Sequence, residues 1–198
     1  MQVCNRKNLN TWQKRSLETF SEYTLGGGTP KTSITKYWKG KIPWLQSSNL
    51  IQNNVSEVNV NKFISEQALA NSAAKLIPNN SIAVVTRVGV GKLTLMNRQY
   101  ASSQDFLSFV NLKYDKQFSL YSMYKKLQQA ARNGQGTSIK GITKNDLLAL
   151  KVSIPLERNE QTKIGNLIQS MDLFVAVNQR KVDLLKEVKK TLLQNMFV

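Results

Sequence analysis

Lys31, Arg87, Lys92 and Lys140 each lie in or beside a glycine-rich turn. Such a setting offers side-chain cations and backbone N–H groups to the same anion. In Gly26-Gly27-Gly28-Thr29-Pro30-Lys31 the loop can turn its amides to a phosphate, with Thr29 and Lys31 adding contacts. A plain structural turn fits the same residues equally well. Arg87-Val88-Gly89-Val90-Gly91-Lys92 looks superficially like a nucleotide-binding loop. It lacks the G-x-x-x-x-G-K-[ST] spacing, because Leu93 replaces the hydroxyl residue and no helix follows. ATP binding is therefore rejected in favour of a hairpin turn whose two flanking cations meet DNA phosphates. Gln135, Thr137, Ser138 and Lys140 form a polar loop flanked by glycines, suited to base edges or backbone, with a merely solvated loop as the alternative. Lys31, Arg87, Lys92 and Lys140 are thus the candidate backbone contacts. Gln104, Gln135, Thr137 and Ser138 are the candidate reading face or its scaffold.

Other chemistries are poorly supplied. The chain has no histidine, which removes imidazole bases and Ser-His-Asp triads. Its 12 carboxylates are scattered, with no acidic cluster suited to Mg²⁺ and phosphodiester cleavage. One cysteine, Cys4, allows neither an internal disulfide nor a cysteine-based zinc site. No Asn/Asp-Pro-Pro-aromatic loop of the amino-methyltransferase kind is present. No catalytic and no metal site is expected, so the reading is a binding protein rather than an enzyme.

The charge says what is bound. Of the net +16, residues 157–198 hold only +2 (seven Lys/Arg, five Asp/Glu), leaving +14 in residues 1–156. A basic domain of that strength points to nucleic acid, a basic surface without a specific ligand being the alternative. No apolar run approaches the length needed to span a bilayer, and residues 1–10 lack a signal peptide's apolar core. The expectation is a cytoplasmic protein with no membrane partner.

The elements that must position these residues follow from periodicity and turn chemistry. Residues 12–23 are mixed, with no clean period. Strands are expected at 42–45, 81–86, 93–96, 106–112 and 151–154, bounded by Gly, Pro and Asn. A short helix is expected over 65–76, capped by Ser65, with Leu69, Ala73 and Leu76 on one face. Gln117 to Arg132 reads as a helix whose Leu120, Tyr124, Leu127 and Ala131 form one buried stripe. Thr143 caps a further turn of helix. Trp12, Trp38 and Trp44 read as core rather than as base-stacking platforms. Pro155 closes a domain of residues 1–156.

Residues 157–198 form a second unit, one long helix. Ile164, Ile168, Met171, Val175, Asn178, Val182, Leu185, Lys189, Leu192 and Met196 alternate steps of four and three, the spacing of a coiled-coil seam. Asn178 and Lys189 are polar seam residues of the kind that fix register. At 1.5 Å per residue the helix runs about 60 Å, while a 150-residue domain has a radius near ~15 Å. Much of it must project, so the seam needs a second helix. Ile168, Met171, Val175, Asn178, Val182, Leu185 and Leu192 are the candidate dimerisation residues.

Four segments together resemble the specificity subunit of type I restriction-modification enzymes. The first joins Trp12 and Leu17 to Gly26-Gly27-Gly28-Thr29-Pro30, Tyr37-Trp38, Gly40 and Ile42-Pro43-Trp44. The second is Asn71-Ser72-Ala73-Ala74-Lys75-Leu76-Ile77-Pro78 with the strand ending at Arg87 and the Val90-Gly91-Lys92 turn. The third is Ala101-Ser102-Ser103-Gln104. The fourth comprises Gly136-Thr137-Ser138-Ile139, Ile142-Thr143-Lys144-Asn145-Asp146-Leu147, Ile154-Pro155-Leu156 and Glu160-Gln161-Thr162-Lys163-Ile164. No single motif decides; their order and spacing across nearly the whole chain do.

The resemblance implies an α/β (α+β) target recognition domain that reads one half of a bipartite site in double-stranded DNA. It makes the long helix a spacer that packs antiparallel against another and docks DNA methyltransferase subunits, and with them the restriction subunit. S-adenosylmethionine, ATP and Mg²⁺ would belong to those partners, with no cofactor in this chain. The family's usual subunit has two recognition domains and two helices; this chain has one of each, as a half-subunit or a fragment. A half-subunit paired with its own copy, with Asn178 near its twin, would read a palindromic interrupted site. The competing readings are a general nucleic-acid-binding protein, including an RNA binder, with a multimerising tail, and an inhibitory decoy that occupies the methyltransferase. A nuclease is disfavoured by the missing histidine and acidic cluster.

Overall fold

The computed structural model describes residues 12–133 and 141–196. Cys4, Gln135, Thr137, Ser138 and Lys140 lie outside the described residues. Among the described residues nine strands and four α-helices occur in the order β1 (Trp12–Ser16), β2 (Ser21–Gly26), β3 (Ile42–Leu45), β4 (Phe63–Ile64), α1 (Glu66–Ala70), β5 (Ser81–Val85), β6 (Leu93–Met96), β7 (Ala101–Ser102), β8 (Phe106–Leu112), α2 (Lys116–Asn133), α3 (Lys144–Ala149), β9 (Lys151–Pro155) and α4 (Arg158–Met196). This is the expected mixed α/β architecture followed by a long helix.

The centre is an antiparallel sheet of order β2-β8-β5-β6. Its strand β5 is buried along its whole length. Alternation sends Ile82 and Val84 to one face and Ala83 and Val85 to the other. On the first face Ile82, Val84, Leu93 and Phe109 pack under Phe118, Met123 and Leu127 of α2. On the second face Ala83, Val85, Met96 and Val110 meet Leu45, Leu50, Ile77 and Tyr100. Burying a side chain such as Phe109 contributes about 2 kcal/mol. A second sheet, β4-β3-β7, holds a smaller core of Tyr37, Trp44, Ile64, Ala68 and Ala101.

Helix starts are set by side-chain caps. Ser65 Oγ accepts from Ala68 N at 3.3 Å, and Thr143 Oγ1 from Asp146 N at 3.1 Å. Asp115 Oδ1 does the same for α2, accepting from Gln117 N and Phe118 N at 3.0 and 2.9 Å. Two sequence expectations change. α1 stops at Ala70 rather than reaching Leu76, and Ala73 and Leu76 are exposed. Asn71 Nδ2 and Ser72 Oγ donate to the carbonyls of Gln67 and Ala68, so side chains take over the acceptors that a further turn would use. Residues 12–23, without period, contain β1 and part of β2. β1 pairs only with β9, and Trp12 to Arg15 are exposed, so no apolar alternation marks it.

Candidate nucleic-acid interface and the terminal helix

At one end of the central sheet β2 stops, β8 starts, β5 stops and β6 starts. The loops carrying Lys31, Arg87 and Gln104 all emerge there. Gly27 N donates to Phe106 O at 3.4 Å and Gly28 N to Ser102 O at 2.8 Å, pinning the glycine loop to the 102–106 segment. A Cβ on Gly27 would run into the Ser103 and Ser102 carbonyls, and one on Gly28 into Ala73, so only glycine permits the approach. Thr29 Oγ1 donates to Gln104 Oε1 at 2.6 Å. That bond uses the amide oxygen and leaves the Gln104 NH₂ as a donor. One turn further, Thr86 N donates to Asp105 O at 2.7 Å, and Ile142 N to Thr86 O at 2.7 Å. Arg87 is therefore joined through one residue to the Gln104 turn and to the chain just after residue 140. Val88 beside it is 73% exposed.

The tryptophans support this loop from beneath. Trp44 Nε1 donates to Gly28 O at 3.1 Å, and Trp38 Nε1 to Lys31 O at 3.2 Å. The two indoles meet edge to face with centroids 4.9 Å apart. Trp44 is core, as expected, but Trp12 is 45% exposed, its Nε1 donating to Glu160 Oε1 at 3.0 Å. Lys62 Nζ sits 5.9 and 5.7 Å from the centroids of Trp38 and Trp44. A cleft of about 450 Å³ opens there, lined by Thr29, Thr32, Trp38, Trp44, Asn61 and Lys62. A neighbouring cleft of about 470 Å³ is bordered by Lys36, Lys39 and Lys41. Lys62 and Asn61 escaped the sequence reading, because they reach the loop only through the β3–β4 pairing; Thr32, next to Lys31, carries no signal of its own. The density of lysine at 31, 36, 39 and 41 was the available signal.

Lys92 behaves differently. Its ammonium donates to Leu50 O at 2.9 Å, and it is half-buried. It clamps its own chain rather than standing free beside Arg87. Among the described residues the one ion pair is Lys186–Asp183, 3.8 Å, on α4. Among the described residues the cations at this end of the sheet form no close ion pair, although Asp105 lies in the Gln104 turn and Glu66 borders the cleft of Lys36, Lys39 and Lys41. The described residues contain no group of acidic, histidine or cysteine side chains able to hold a metal.

α4 is 39 residues long, about 58 Å. Its root is locked to the domain. Buried Gln161 accepts from Asp115 N at 3.0 Å and donates to Pro155 O at 2.8 Å. Thr162 Oγ1 donates to Asp115 Oδ2 at 3.1 Å. Gly165 lets α2 approach so closely that a Cβ would lie 2.6 Å from Phe118 N. Tyr121 Oη donates to Asp172 Oδ2 at 2.8 Å. Burial, and then the Asp172 carboxylate holding the proton, push the Tyr121 phenol far above its ordinary value. Ile164 and Ile168 pack partly into the domain core. Ile168 therefore faces this chain's own domain, and the free seam starts at Met171. From there Met171, Val175, Leu185 and Leu192 are 53–67% exposed, Val182 44%, and Phe174 beside them 71%.

The sequence model described as the type I restriction modification DNA specificity domain matches residues 10–187. The chain belongs to that family. Within it, the chain is 22% identical over 197 residues to the MjaIX specificity subunit of Methanocaldococcus jannaschii, covering 94% of this chain and 44% of that one. It is 28% identical over 156 residues to the EcoR124I/EcoR124II specificity subunit of Escherichia coli, covering 74% and 38%. The chain thus spans less than half the length of these curated relatives. The S subunit of a type I restriction-modification system from M. genitalium shares the fold, with TM-score 0.59 at 18% identity over 100% of this chain and 48% of that one.

Proposed function

We propose that this specificity-family chain is non-catalytic and reads one half of a bipartite double-stranded DNA site through the loops at one end of its central sheet. One observation carries the reading: loops distant in sequence bring Lys31, Gln104, Arg87 and the approach to residue 141 to that end, with cations that form no close ion pair among the described residues. Lys31, Arg87 and Lys62 contact phosphates, and Gln104 meets base edges, for which Gln135, Thr137 and Ser138 are the further candidates from the sequence. Exposed Val88 offers a base edge only apolar contact, the kind a thymine methyl accepts. The α4 seam pairs with a second copy, giving two domains and an interrupted palindromic site. The outer surface of the pair recruits methyltransferase subunits and, through them, the restriction subunit. S-adenosylmethionine, ATP and Mg²⁺ act on those partners. The setting is the cytoplasm; among the described residues no helix is long and apolar enough to cross a membrane.

Selection of bound duplexes from a random pool, with structured RNA as competitor, tests the reading. Enrichment of one DNA sequence is expected. Binding without sequence preference, or a preference for RNA, would overturn it. On the selected duplex Lys31→Ala and Arg87→Ala each lower the salt slope of the binding constant by about one unit. Lys92→Ala leaves that slope unchanged, because its ammonium already donates to Leu50 O.

A further inference from the structure

We propose that Lys36, Lys39 and Lys41 form a ledge that grips the backbone of duplex DNA just beyond the outer end of the half-site. This rests on the duplex-reading proposal above and adds to it a second contact zone and its direction. Between Glu22 and Glu57 the sequence has no carboxylate, and Lys31, Lys36, Lys39 and Lys41 all fall in that stretch. All four are exposed. Such a run alone marks no more than a solvated face; the fold is what gives it a place.

The ledge is held rigidly. Thr35–Trp38 is a single turn of 3₁₀ helix, and Lys39 follows it directly. At three residues per turn Lys36 and Lys39 fall on one side, about 6 Å apart along the axis. Between them Tyr37 is buried. Its N–H donates to Ile34 O and its carbonyl accepts from Ser65 N, both at 2.9 Å. A Cβ on Gly40 would run into Ile64 O, so the chain is seated against β4 just before Lys41. Trp38 Nε1, bonded to Lys31 O, ties the ledge to the glycine loop. The three lysines border one open cleft of about 470 Å³, whose lining includes a single carboxylate, Glu66. Among the described residues none of the three is in an ion pair. A backbone already fixed in place costs little further ordering on binding a polyanion.

The place of the ledge follows from the layers. α2 and the root of α4 cover one face of the central sheet, where Ile164 and Ile168 join the core. The small sheet covers the other face: Leu45 of β3 packs with Ala83 and Val85, while its neighbour Trp44 belongs to the small core. The reading loops emerge at the end of the central sheet, between these two layers. α4 leads toward the second domain of the proposed pair. DNA lying across the sheet's end therefore meets the α4 side first, then Lys31, Arg87 and Gln104, and then the ledge. Lysine is a compact point charge with three donors and no acceptor. A row of lysines takes phosphate oxygens and adds affinity without reading a base. A duplex backbone, with one charge per about 1.7 Å of axis, is the partner that such a row fits.

Binding of the full chain to duplexes of graded length tests this. The selected sequence is kept, and base pairs are removed stepwise from its outer ends. The wild-type chain should lose about tenfold in affinity once the outer flank is gone. The triple variant Lys36→Ala, Lys39→Ala, Lys41→Ala should bind the long duplex as the wild type binds the trimmed one, with a salt slope lower by about two to three units. On the trimmed duplex the two chains should coincide, and both should enrich the same sequence from a random pool. Arginine at the three positions should restore the dependence on length. Equal weakening of the alanine variant at both lengths would place the lysines over the half-site and overturn the ledge. A changed enriched sequence, or a wild-type affinity indifferent to the flank, would also overturn it. If the alanine variant keeps the full flank dependence, the ledge falls while duplex reading stands. If the wild type enriches no sequence, both fall.

Discussion

The root and the shaft of α4 are one continuous helix with one largely apolar seam, yet they sit in opposite surroundings. Along the root, α2 covers the seam, and Gln161, Thr162 and Asp172 complete hydrogen bonds to the domain. Along the shaft the same spacing leaves Val175 at 64% and Leu185 at 67% exposure. Periodicity states that a helix needs a partner; only the chain's own topology decides whether the partner is internal. The hand-over falls near Asp172; further along α2, Gln128 Nε2 donates to Gly91 O at 3.2 Å, within the domain.

Substitutions in the two parts should therefore differ in kind. The largest effect is expected for Gly165→Val, whose side chain must displace the Phe118 backbone, destabilising the fold by about 3 kcal/mol in urea unfolding. A loss below about 0.5 kcal/mol would mean that the root is not packed as described. Gln161→Leu should cost about 2 kcal/mol, because Asp115 N and Pro155 O lose partners in a buried place. Tyr121→Phe should cost about 1 kcal/mol. It should also change the alkaline limb. The folded phenol keeps its proton where the unfolded one, with an ordinary value of 10.0, releases it. Tyr121 therefore contributes stability that is present below pH 10 and lost above it, and Phe removes that share of the slope. Val182→Glu with Leu185→Glu should change monomer stability at high dilution by less than about 0.5 kcal/mol while abolishing the sedimenting dimer. A large stability loss from that pair would erase the distinction between root and shaft.

Where each strand or helix carries its own signal, sequence and structure agree closely. β3, β6 and β8 occupy the expected residues, and α2 begins and ends within one residue of the expected bounds. Ser65 and Thr143 cap as their side-chain chemistry requires. β1 escaped because a strand paired on one edge and exposed at four of its five residues has no period to show. The site was legible in part. Glycine and lysine marked the loops of Lys31 and Arg87, but nothing local placed Lys62 over two indoles or turned Lys92 inward to Leu50. Both depend on residues brought together across 18 to 42 positions of chain. Gln104 was singled out as part of a segment; its bond to Thr29, 75 residues away, gives it a physical role.

The root also governs angular accuracy. Beyond Asp172 the helix continues for 24 residues, about 36 Å. A lever of that length magnifies any tilt at its base: a 5° swing moves the tip by about 3 Å, close to the spacing of successive base pairs. The Tyr121–Asp172 bond and the glycine contact at Gly165 are small features, but they sit at the fulcrum. In the proposed pair, loosening them would blur the distance between two reading heads by about one base-pair step without touching any residue proposed to meet DNA.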